Sequence, residues 1–246
     1  SAVNYVGSKL IAIPMILAPG FTAALIPHIT SMLAENDLRA VRRSVREVLS
    51  IVFYIALPVC VCIALYGRPL YYILYYTENL DLAASTIAWN ALEGAAGTVL
   101  PVVTSMMMAL RLRRAGLKSL AVYSLFKVVT VVPMVMWLGF PGAVISSAAG
   151  SLYVLFSNLR EIARRYRVSF TALFHQLLFI VLGLLCMWGM TSLLNAAGLQ
   201  ADAGSKLICL VKLAVSGLLS MGTYLGVTWF FQIPQTVFGL RGRRHV

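Results

Sequence analysis

Three charged side chains stand inside long apolar runs, Glu93, Lys127 and Lys212, and a fourth, Lys9, heads a run rich in proline. A charge near mid-bilayer costs at least ~2.5 kcal/mol on insertion scales, so each marks a candidate site. Glu93 falls about nine residues in from the outer end of its run, and Lys127 nine residues in from Lys118. At 1.5 Å per helical residue both reach ~14 Å deep, at similar height on neighbouring antiparallel helices. Two readings follow: an internal Glu93–Lys127 ion pair that holds the helices together, or charges facing a hydrated cavity. Lys212 lies ~9 Å from the outer end of its run, close enough to snorkel to the interface. His28 and His175 fall near inner ends and read as packed or interfacial histidines rather than a proton relay. Cations outnumber carboxylates here. That balance suits a phosphate-bearing headgroup, for which lysine is a common partner, better than a cationic drug.

These side chains need helices that span a membrane. Hydrophobic residues make up 60% of the 246 and charged residues 11%. A soluble domain carries about a quarter charged residues, so that class is excluded. The apolar runs predict an all-α, polytopic transmembrane bundle of seven spans in one lobe, at about 9–33, 49–66, 84–110, 119–138, 143–159, 170–194 and 206–231. A net charge of +12 would point to nucleic acid in a soluble protein. Here the cations crowd into alternate loops (Arg39 to Arg46, Arg111 to Lys118, Arg160 to Arg167, Arg241 to Arg244), while the opposite turns hold Arg68 and Lys206. That asymmetry reads as topology and lipid contact with no nucleic-acid partner, and it places the C-terminus in the cytoplasm. An odd number of spans beginning outside, with no initiator Met, predicts a piece of a longer protein.

The prolines Pro14, Pro19 (before Gly20), Pro27 and Pro58 are candidate helix breaks or gating points, because proline removes a backbone donor and kinks a helix. Tyr71, Tyr72, Tyr75 and Tyr76 beside a turn predict an interfacial aromatic belt. Gly142, Ser146 and Gly150, four apart, predict close helix packing. Cys60, Cys62, Cys186 and Cys209 lie in apolar runs without CxxC spacing and read as small hydrophobes. No P-loop, HExxH or GxSxG motif occurs, so the expectation is a protein without catalysis, metal or cofactor.

The run Asn4-Tyr5-Val6-Gly7-Ser8-Lys9-Leu10, with the prolines and Ala23-Ala24-Leu25-Ile26-Pro27-His28-Ile29-Thr30 after it, resembles the eighth span of the multidrug/oligosaccharidyl-lipid/polysaccharide (MOP) exporter superfamily. Ala56-Leu57-Pro58 with Gly67-Arg68-Pro69-Leu70 resembles its next span and outer turn, and Gly139-Phe140-Pro141-Gly142-Ala143 the turn into its twelfth span. Within it the pattern is most similar to the stage V sporulation protein B branch of polysaccharide flippases, near the MurJ-type lipid II flippases. The chain has Leu112-Arg113-Arg114 where the family often has Gln-Gly, and Val131-Val132-Pro133 where it often has Asn.

The resemblance implies the C-terminal half of a fourteen-span, two-lobe transporter in a bacterial cytoplasmic membrane, partnered by membrane lipids and an N-terminal lobe of the same protein. It implies movement of a lipid-linked oligosaccharide or peptidoglycan precursor by alternating access. On that pattern Lys9 falls on a cavity-facing cation, with Lys127, Glu93 and Lys212 as further candidates. The alternatives are a cation-coupled multidrug antiporter on the same fold, or an inactive truncated lobe or membrane scaffold.

Overall fold

The computed structural model describes residues 12, 15–75, 80–198 and 205–237. Lys9 and Pro14 lie outside the described residues, as do Tyr76 and the arginine-rich tail. Among the described residues the elements are all helices: α1 (Leu17–Ala34), α2 (Leu38–Leu65), α3 (Gly67–Tyr75), α4 (Leu80–Ala109), α5 (Arg113–Leu138), α6 (Phe140–Tyr166), α7 (Thr171–Ala196), α8 (Lys206–Phe230) and α9 (Ile233–Val237). Six of them, α2 and α4 to α8, are long and apolar enough to cross a membrane. A 25-residue helix reaches ~37 Å against a hydrocarbon core of ~30 Å. The expected first span is the shorter one, with its described apolar stretch confined to Thr22–Ala34. The all-α membrane bundle read from the sequence is the fold observed.

The helices run past the apolar spans because their polar ends are helical as well. α2 begins at Leu38, where Asp37 caps it: Oδ1 accepts from the amides of Arg39 at 3.1 Å and Ala40 at 3.0 Å. Val41, Val45 and Leu49, one turn apart, are fully buried while Arg43 and Glu47 face out. That is an amphipathic face rather than a loop. α1 passes through Gly20 and Pro27, and α2 through Pro58, without a break. Pro19 falls in the first turn of α1, where a missing N–H has no intrahelical partner to lose. Pro27 and Pro58 each remove one i→i−4 donor, from the carbonyls of Ala23 and Tyr54, and leave soft points in continuous helices.

The tyrosine-rich segment differs from the expected belt. It forms α3, and Tyr71 is buried with Ile63, Ala83 and Ile87. Tyr75 is exposed, its ring 5.5 Å from that of Tyr71. A helix places residues 71 and 75 one turn apart on one face, and the inner of the two is drawn into the core.

The chain divides into two compact units. The first holds the described residues of 57–91 and 174–246. It is tied by a buried hydroxyl cluster in which Tyr66 Oη donates to the Ser216 carbonyl at 2.9 Å, with Ser220 Oγ at 2.6 Å and Thr191 Oγ1 at 3.3 Å. Gly183 of α7 lets the ring of Tyr224 approach the backbone. The second unit holds the described residues of 12–56 and 92–173. Its hairpin of α5 and α6 turns at Gly139, whose φ of 66° suits glycine. The helices then pack through the small-residue stripe. A Cβ at Gly142 would overlap the Met134 carbonyl, one at Gly150 would overlap the Tyr123 ring, and Ser146 Oγ lies 2.6 Å from Thr130 Oγ1.

Candidate functional site

Within the second unit, three basic segments converge at one end. Arg42 Nε donates to the Tyr166 carbonyl at 2.8 Å, and Tyr166 Oη donates to the Leu110 carbonyl at 2.7 Å. The start of α2, the α4–α5 junction and the end of α6 are thus stitched together. Arg111 closes α4 in the left-handed region, with φ 59°. The amide of Leu112 donates to the Met107 carbonyl at 2.8 Å and that of Arg111 to the Met108 carbonyl at 3.1 Å, a reverse turn that satisfies two terminal carbonyls. The turn throws Arg113 and Arg114 onto the first turn of α5, beside Arg165 and Glu161 of α6. Together they line a cavity of about 610 Å³.

Deeper in the hairpin the structure places Lys127 differently from the ion-pair reading. Glu93 on α4 and Lys127 on α5 are both half-buried, and no ion pair joins them. Lys127 Nζ lies 3.4 Å from Tyr123 Oη and 5.7 Å from the centre of that ring. Tyr123 is held there because its ring lies on Gly150 of α6. The ammonium thus gains a hydroxyl acceptor and a π-face, while the Glu93 carboxylate is left without Lys127 as its counter-charge.

Lys212 belongs to the first unit, half-buried on α8, and donates to the Gly198 carbonyl at 3.3 Å beyond the end of α7. Its ammonium reaches toward the chain's polar turn, as a snorkelling lysine does. His28 and His175 are exposed. Of the sequence-derived candidates, Lys9 and Pro14 fall outside the described residues, and Pro19, Gly20 and Pro27 lie exposed along α1, with Pro58 buried in α2.

Sequence reasoning missed the basic cavity and the Tyr123 partner. The second had a signal: Tyr123 stands four residues before Lys127, the spacing at which helical side chains meet. For the cavity the sequence put Arg113 and Arg165 in basic loops on one side, but that the two line one cavity depends on packing between segments far apart in the chain.

No family model matches the sequence. Over 167 residues the chain is 24% identical to the lipid II flippase MurJ of Bacillus subtilis strain 168, a match covering 67% of this chain and 31% of that flippase. The chain therefore spans less than a third of the length of that relative in the match. The chain is thus an all-helical, multi-pass membrane protein with a distant sequence likeness to that flippase.

Proposed function

We propose that the chain forms the C-terminal lobe of a flippase carrying a lipid-linked oligosaccharide or peptidoglycan precursor across the bacterial cytoplasmic membrane by alternating access. The observation that supports this reading is the likeness to a lipid II flippase over two-thirds of the chain, on a bundle of membrane-length helices. In it an N-terminal lobe of the same protein completes the cavity. The basic loops and the C-terminus face the cytoplasm, as lysine and arginine near span ends direct. Lys9 meets the diphosphate of the carrier lipid, and Lys127, Glu93 and Lys212 tune the cavity or gate. Pro14, Pro19, Gly20, Pro27 and Pro58 supply compliant backbone, since each proline removes a helical hydrogen bond or starts a turn. A sporulation role rests on the sequence resemblance and belongs to the same proposal.

The test is rescue of a flippase-deficient strain by the full-length gene. Lys9→Ala abolishes rescue while leaving membrane insertion intact; unchanged transport by that variant removes Lys9 as the site. Absence of rescue by the wild-type gene favours an inactive lobe or scaffold. One observation favours a second reading, a cation-coupled multidrug antiporter. Glu93 is half-buried without Lys127 as its partner, and such a carboxylate can carry a proton or cation. Glu93→Gln uncouples drug export in that case and leaves lipid flipping intact in the first.

A further inference from the structure

We draw no further inference here: the strongest candidate, the basic cavity at the start of α5 lined by Arg111, Arg113, Arg114 and Arg165, rests on a helix N-terminus beside an uncovered apolar face, with no second observation that points to a ligand and a lipid contact already read from the basic loops.

Discussion

Replacing Lys127 by Met tests whether this lysine is kept for stability or for work. An ammonium at mid-span costs about 2.5–3.5 kcal/mol on insertion scales. Two contacts offset it. The Tyr123 hydroxyl stands 3.4 Å away, long for a hydrogen bond, and so contributes about 0.5–1 kcal/mol. The ring centre at 5.7 Å lies near the outer limit of a cation–π contact, which adds about 0.5–1 kcal/mol. With no ion pair to Glu93, about 1 kcal/mol or more of the cost is left standing. Lys127→Met therefore stabilises the full-length protein by about 1 kcal/mol, because Met fills the same path without a charge. Tyr123→Phe costs about 0.5–1 kcal/mol in the wild type and nothing in the Met background, so the double-mutant cycle reports a coupling of that size. Reversible unfolding in mixed micelles measures all four corners. Destabilisation by Lys127→Met, or zero coupling with Tyr123, refutes this reasoning. A variant that is more stable yet transports nothing identifies Lys127 as retained for function at the expense of stability.

Other perturbations follow from single contacts. Tyr66→Phe removes a buried hydroxyl that holds the Ser216 carbonyl and Ser220, and micellar unfolding should register a loss of about 1–3 kcal/mol. Asp37→Ala strips the cap from α2 and costs about 1 kcal/mol, read by the same assay, while Asp37→Asn loses much less. Gly150→Leu drives a side chain into the Tyr123 ring and destabilises by about 1–3 kcal/mol; Gly189→Leu, with open space at its Cβ, is the control that stays near zero.

Fold class was legible because hydropathy is a local property. Each span declares itself through the cost of exposing a polar backbone and side chains to hydrocarbon, whatever its neighbours are. The small-residue stripe Gly142, Ser146 and Gly150 was legible for a related reason: a face with no side chains permits close approach, and α5 takes it. Charge clustering likewise announced the basic end, since Arg39 to Arg46 and Arg111 to Lys118 needed only counting along the chain. The helical start of α2 was hidden because its polar first turns look like a loop until Val41, Val45 and Leu49 find a core.

Depth along a helix could be read from residue numbers, but direction around it could not. Glu93 and Lys127 match in height, yet a pair forms only if both side chains also point across the same gap. The structure leaves them apart and gives Lys127 its own neighbour Tyr123, which helical spacing holds close at little entropic cost. Tyr71 in a core and Arg113 beside Arg165 are decisions of the same kind. The sequence by itself determined which segments enter the membrane and which stay wet, because that partition is made residue by residue against the solvent. Only tertiary packing decided which side chains face one another, because contacts between helices depend on rotation and register that no single helix contains.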